Sequence, residues 1–197
     1  FLNIKKNISK VQIIPLNENQ ITGTARCLIN VKQHIKSDDF ILMWGDIALI
    51  SRRIIYIIAS LHSKYNSLMS FATCIKKNPY VSIHRNTDGV ILKVKHNKKK
   101  ISKSFLSEQD TSFFMCKKKI FKHLINFEMK FSEKKECDFI KFLPYLNKFS
   151  KLISPPIAEM FEVEGINYNK DLNFLRNKLN KYEYTKYSKK YLSAIDN

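Results

Sequence analysis

The stretch "EVEGINYN" (162–169) gathers the densest potential chemistry in the 197-residue sequence: Glu162, Glu164, Asn167 and Asn169 around a single Gly165. Two carboxylates two residues apart on a strand share one face and have the right groups for acid–base work. No partner acid or base accompanies Glu162 and Glu164, so no catalysis is expected of them. Asn167 and Asn169 have the residue type that caps a helix, and "KDLNFL" follows them. Asp46 closes the apolar run "FILMWGD", where an aspartate ordinarily caps a helix or sits in a loop. His34, His62, His84, His96 and His123 share no metal-ligand spacing and read as solvated or hydrogen-bonded side chains. Cys27, Cys74, Cys116 and Cys137 are irregularly spaced without a CxxC pair. They read as reduced core thiols of a cytoplasmic protein.

The elements that hold these residues follow from apolar spacing. "VQIIPL" (11–16) reads as a short strand, and "GTARCLINVKQHIK" (23–36) as a helix with one apolar stripe. "DDFILMWGD" (38–46) reads as a central strand buried on both faces. Ser51 is placed to cap a helix carrying Ile54, Ile55, Ile57, Ile58 and Leu61, and "SLMSFATCI" (67–75) returns as a strand. Strand, helix, strand, helix, strand predicts an α/β fold with a mixed, mainly parallel sheet flanked by helices. After residue 80 the pattern changes. "YVSIHRNTDGVILKV" (80–94) predicts a hairpin turning at Asp88 and Gly89, the core of a small lobe over 80–96. A strand over 110–116, helices over 117–128 and 137–149 (interrupted by Pro144), a strand over 157–164 and a helix over 171–179 complete the reading. One domain over 1–182 and a basic tail over 183–197 are expected, since a chain of this length closes one core.

Composition excludes some classes. No apolar run approaches a membrane span, because "IIYIIASLH" is flanked by Arg52 and Arg53 and ends at His62. "FLNIKKNISK" is no secretory signal, since lysines interrupt any apolar region. The net charge of +18 points towards polyanions. The lysines are spread along the chain, however, and accompany many Asn, Ile, Phe and Tyr residues. Glycine falls to four, where ordinary usage of about 7% gives roughly fourteen. That bias is the mark of an A/T-rich gene. The dense run "KVKHNKKK" (93–100) has no interleaved aromatic residue to stack a base, so specific nucleic-acid binding is not expected.

All four glycines fall at punctuation: Gly23 at a helix start, Gly45 and Gly165 after strands, Gly89 in a turn. Around them "QITGTARCL", "FILMWGDIALIS", "NPYVSIHRNTDGVILKVKHNKK" and "EVEGINYNKDLNFL" occur in the order and approximate spacing of bacterial sugar-1-phosphate nucleotidylyltransferases. Over residues 20–179 the sequence resembles that family, and "EVEGIN" most resembles its N-acetylglucosamine-1-phosphate uridylyltransferases. The resemblance implies a Rossmann-like nucleotide-diphospho-sugar transferase fold. It also implies transfer of UMP from UTP to N-acetylglucosamine 1-phosphate with release of pyrophosphate, a step towards cell-wall peptidoglycan. By the same resemblance Asp46 and Asn167 would hold Mg²⁺, a hard cation suited by oxygen ligands. Gly23, Thr24, Tyr80, Glu108 and Thr111 would line the substrate site.

Departures from the family are as specific as the matches. The glycine-rich loop "LAAGxGTRM" that opens the family's catalytic half is missing from the sequence, so the reading is of an N-terminally truncated domain. With that loop goes the family's catalytic cation, and no catalytic residue is assigned. Activity is expected only with a complementing N-terminal segment. Val81 stands at a glycine position, Lys95 at a glutamate and Asp110 at an asparagine. The hexapeptide repeats of the bifunctional members are also missing. The alternatives are a non-catalytic binder of nucleic acid or another polyanion, and a remnant without activity.

Overall fold

One long strand organises the chain. The computed structural model describes residues 14–17, 22–47, 49–97, 104–130 and 136–181, with side chains to 177. β5 (Leu106–Lys117) is its central strand, with Phe113, Phe114 and Cys116 buried. One edge of β5 pairs with β2 (Met69–Lys77), from Met69 opposite Cys116 to Lys77 opposite Leu106. The other edge is shared. β1 (Asp39–Met43) pairs along residues 113–117, and β3 (Val81–Arg85) meets Glu108 through Ile83. β3 also pairs with β4 (Ile91–His96), closing the expected hairpin through a loop in which Gly89 has φ +78° and Asn86 donates to the Val90 carbonyl.

Every pairing between these strands is antiparallel, which differs from the mainly parallel sheet expected. The alternation of strand and helix did give the relative direction of β1 and β2: both oppose β5 and so run the same way. It gave no information on what lies between them, and a strand from much later in the chain is inserted there. β1 is consequently an edge strand and not buried on both faces. Ile41 and Met43 are exposed, while Phe40 and Leu42 are half-buried against the core.

Helices cover both faces of the sheet. α1 (Thr24–Val31) buries Ala25 and Leu28 and tightens into a 3-10 turn at Lys32–His34. α2 (Arg52–Lys64) begins at Ser51, whose hydroxyl accepts the Ile54 N–H at 3.3 Å, the cap read from the sequence. Its Ile54 and Ile58 pack with Ala72 and Phe113 as one cluster. α3 (Ile120–Glu128) buries Ile120, Phe121, Leu124 and Phe127. A 3-10 turn at Phe139–Lys141 then runs into α4 (Phe142–Leu146), where Pro144 falls in the first turn and its missing N–H leaves no bond unmade. These join α1, Phe71 and Phe114 in the larger core, a chain of ring contacts running Trp44, Phe114, Phe139, Phe142. α5 (Asn169–Lys181) is the last described element.

Two expected strands are corrected. Residues 11–13 lie outside the described set, and residues 14–16 are irregular, with Ile14 and Leu16 exposed. Residues 157–164 form an irregular segment and the 3-10 turn Met160–Val163. Glu162 explains the second. Its fully buried carboxylate accepts the N–H groups of Ser51 at 3.0 Å and Glu159 at 2.8 Å, a capping interaction that bends the chain where strand pairing would straighten it. The tail over 183–197 and the basic run beyond residue 97 lie outside the described residues. Among the described residues no helix is long and apolar enough to cross a membrane.

Candidate functional site

The turn after β1 and the "EGIN" segment meet at one point. Ile47 forms an isolated antiparallel bridge with Gly165, and the Ile166 N–H donates to the Asp46 carbonyl at 2.9 Å. A β-carbon built on Gly165 would stand 2.8 Å from Asp46 Oδ2 and 3.4 Å from Asn167 Nδ2. The side chains of Asp46 and Asn167, 121 positions apart in sequence, therefore flank the same small volume, which only glycine leaves open. Asn167 is exposed and Asp46 half-buried, so the volume is reachable from solvent. The backbone around Asn167 is held by Asp171, whose Oδ2 accepts the N–H groups of Asn167 at 3.0 Å and Tyr168 at 2.9 Å.

The donor set fits a hard cation. A carboxylate and an amide oxygen are oxygen ligands of the kind magnesium takes, provided the Asn167 amide turns to present Oδ1. Among the described residues no group of three or more His, Cys, Asp or Glu side chains converges, so a fully protein-ligated metal is not built here. An ion at this point would draw its remaining ligands from water or phosphate.

The residues assigned to the substrate wall divide. Thr24 and Tyr80 are linked through two others that the sequence did not single out, Asp138 and His96. Thr24 Oγ1 accepts the Phe139 N–H at 2.9 Å and lies 3.5 Å from Asp138 Oδ1; Asp138 Oδ2 pairs with His96 Nε2 at 2.5 Å; the His96 ring meets Tyr80 edge-on at 5.4 Å. Tyr80 is exposed, and its N–H is held by Gln109 Oε1 at 2.9 Å while Gln109 Nε2 donates to the Val163 carbonyl at 3.0 Å. Gln109 thus ties the hairpin to the segment leading into Gly165.

Three other assigned residues have close structural surroundings. Gly23 has φ +93°, and a β-carbon there would fall 2.6 Å from the backbone N and O of Cys137, so its glycine serves close chain packing. Glu108 is engaged by a two-pronged Arg85 pair at 2.6 and 2.7 Å and by the Thr73 hydroxyl at 2.5 Å. Thr111 is fully buried, with its hydroxyl unpartnered among the described residues. The side chain of Val81 is buried in the core cluster. Lys95 is exposed on β4.

Buried titratable groups surround these residues. Asp110 accepts the Ser112 N–H at 2.7 Å, and burial, reinforced by the charge of Asp138, pushes its carboxyl pKa up despite those bonds. Burial pushes the thiols of Cys74, Cys116 and Cys137 up as well, which keeps them protonated and unreactive. Glu164 pairs with Lys76 at 2.5 Å.

The architecture is a mixed α/β layer structure with the candidate site beyond the carboxyl end of β1, a fold it shares with solved transferase structures. Solved structures carry the comparison. HddC from Yersinia pseudotuberculosis superposes with a TM-score of 0.58 at 18% identity, over 89% of this chain and 71% of its own. The inositol-1-phosphate CTP transferase from T. maritima gives 0.58 at 16% identity, over 92% and 72%. A putative glucose-1-phosphate thymidylyltransferase from Bacillus anthracis gives 0.61 at 12% identity, over 88% and 69%. No protein-family model matches the sequence, and no curated protein matches it.

Proposed function

We propose that this chain is the acceptor-side part of a sugar-1-phosphate nucleotidyltransferase. In this reading it binds a nucleoside triphosphate, UTP by sequence resemblance, with N-acetylglucosamine 1-phosphate as acceptor. The observation that carries the reading is the convergence of Asp46 and Asn167 about Gly165 in a chain with this fold.

In the proposed reaction an acceptor phosphate oxygen attacks the α-phosphate of the triphosphate, a P–O bond forms, and the bond to pyrophosphate breaks. Asp46 and Asn167 would hold the magnesium. When bound, the ion supplies shielding of phosphate charge and a template for the phosphate oxygens. Asp46 contributes the anionic ligand and is aimed by the bridge between Ile47 and Gly165. Asn167 contributes a neutral ligand, so the site keeps enough net positive charge to hold phosphates. Tyr80, anchored by Gln109, and Thr24 border the acceptor side.

Transfer also needs cationic groups on the departing phosphates, and the 197 residues hold no glycine-rich phosphate loop. A complementing segment would supply it. β1 supports this reading: it pairs on one edge only among the described residues, and an apolar groove of about 290 Å³ lies between it and α1, lined by Cys27, Leu28, Val31, Leu42 and Met43. A cytoplasmic setting, where these nucleotides are made, belongs to the same proposal. The test mixes the chain with a polypeptide bearing the loop and measures Mg²⁺-dependent pyrophosphate release from UTP and N-acetylglucosamine 1-phosphate. Release is expected with the supplement only and is expected to vanish in Asp46→Ala. Release that survives Asp46→Ala would sink the assignment.

A further inference from the structure

His96 and Asp138 have no part in the proposed metal site, yet they join Thr24 and Tyr80, the two residues assigned above to the acceptor side. His96 closes β4, and Asp138 caps the turn before α4, its Oδ1 accepting the Ile140 N–H at 3.1 Å. The carboxylate is thereby fixed, and its second oxygen faces His96 Nε2 at 2.5 Å. The Tyr80 ring stands at 76° to the imidazole, with centroids 5.4 Å apart, so the imidazole is held by a hydrogen bond along one edge and by a ring contact. His96 remains 36% exposed and Tyr80 64% exposed, which leaves both available to a ligand.

The carboxylate decides which nitrogen carries the proton. A carboxylate only accepts, so in the neutral imidazole the proton sits on Nε2 and Nδ1 is left with a lone pair. Nδ1 has no hydrogen-bond partner among the described residues. A lone pair accepts from a hydroxyl or an N–H and repels a phosphate oxygen. Beside it, the exposed Tyr80 ring offers an apolar face of the sort that receives C–H groups. A hydroxyl donor next to an apolar patch is the chemistry of a sugar ring.

We propose that His96, oriented by Asp138, is the specificity-determining acceptor for a ring hydroxyl of the sugar, with Tyr80 as its apolar companion and Asp138 as positioning residue. The inference rests on the transferase reading for the presence of a sugar phosphate, and goes beyond it in assigning the group that reads the sugar.

The test follows the imidazole nitrogens by NMR in the full ¹⁵N-labelled chain. The probes are N-acetylglucosamine 1-phosphate, methyl N-acetylglucosaminide and inorganic phosphate. The free chain is expected to show the Nε2–H form of neutral His96. Both sugars should shift Nδ1, and phosphate alone should leave it in place. Asp138→Asn keeps the cap to Ile140 through Oδ1 and turns Nδ2, which only donates, towards His96 Nε2; it should move the neutral imidazole of that variant to the Nδ1–H form and weaken sugar binding roughly fivefold to tenfold, the effect of one hydrogen bond. His96→Phe retains a ring beside Tyr80 and should weaken sugar binding by a similar factor, with an unchanged melting temperature showing that the fold survives. An Nδ1–H form in the parent chain, a shift with phosphate alone, no shift with either sugar, or unaltered sugar affinity in both variants would overturn the proposal. A UTP titration of the same sample, read at Asp46 and Asn167, reports on the transferase reading separately: loss of that response with a retained sugar shift removes the reading and leaves His96 as a sugar acceptor.

Discussion

Gly165 stands against Asp46 so closely that a β-carbon would reach 2.8 Å from Oδ2. Its φ is not in the left-handed region, so the demand for glycine is steric and local. Gly165→Ala should push the Asp46 carboxylate out of its present place. A cost of about 1–3 kcal/mol in stability is expected from such overpacking, together with weaker divalent-ion binding than in the parent chain. Denaturant unfolding and an ion titration check the two halves. An alanine variant with parental ion affinity would show that the volume beside Gly165 is not the site.

Gly23 makes a contrasting demand. Both its φ of +93° and the backbone of Cys137 at 2.6 Å oppose a side chain, so Gly23→Ala should destabilise by roughly 2–4 kcal/mol. The loss should appear in thermal unfolding and should be the same with and without UTP. A variant that folds as well as the parent and loses only ligand binding would show that the demand for glycine at residue 23 comes from the substrate and not from packing.

Asp110 gives a stability effect with a definite sign. Its folded-state pKa is raised above the ordinary 3.8 chiefly by burial, so between those two values the folded chain binds more protons than the unfolded one. Stability from this group is therefore full below about pH 3.8 and declines as pH rises through the folded pKa. Asp110→Asn removes the buried charge while keeping an oxygen for Ser112, and should raise stability at pH 7 by on the order of 1 kcal/mol. That advantage should shrink as pH falls towards 4. Urea unfolding at pH 7 and pH 4.5 checks it, and an advantage that grows in acid would contradict the assignment.

His62 works in the opposite sense. It is buried, its Nδ1 lies 2.9 Å from Ser70 Oγ, and burial lowers its pKa from 6.5 against the opposing influence of Asp39. The unfolded chain takes up this proton first as pH falls, so stability is full above pH 6.5 and is lost below it. His62→Gln should flatten the fall in stability between pH 7 and pH 5. An unchanged slope would assign the acid sensitivity to other groups.

How far the sequence could be read depended on the range of the interaction involved. The Ser51 cap, the turn at Gly89 and the apolar stripes of α1, α2 and α3 are set within a few residues and were legible. The convergence of Asp46 on Asn167 was reachable only through resemblance, because a bridge between Ile47 and Gly165 has no local signal. The insertion of β5 between β1 and β2 was not legible, since burial pattern carries no information on strand partner. Glu162 misled the reading for a related reason: in sequence it alternates like a strand residue, but its carboxylate serves the start of a helix 111 residues away. Asp138 and His96 were hidden as a loop acid and one of five histidines, and only the approach of β4 to the turn before α4 joins them. Of the strand expected at 11–16 only residues 14–16 are described, and they are irregular, because an apolar run is a strand only when the fold gives it an edge to join.

Asp46 and Asn167 are proposed to hold a divalent ion together with a nucleotide. The most direct measurement adds Mn²⁺, a paramagnetic stand-in for magnesium, to the ¹⁵N-labelled chain in the presence of UTP and records which amide signals broaden. Broadening centred on Asp46, Gly165 and Asn167 is predicted, with its loss in Asp46→Asn. Broadening centred elsewhere, or the same pattern in Asp46→Asn, would contradict the account.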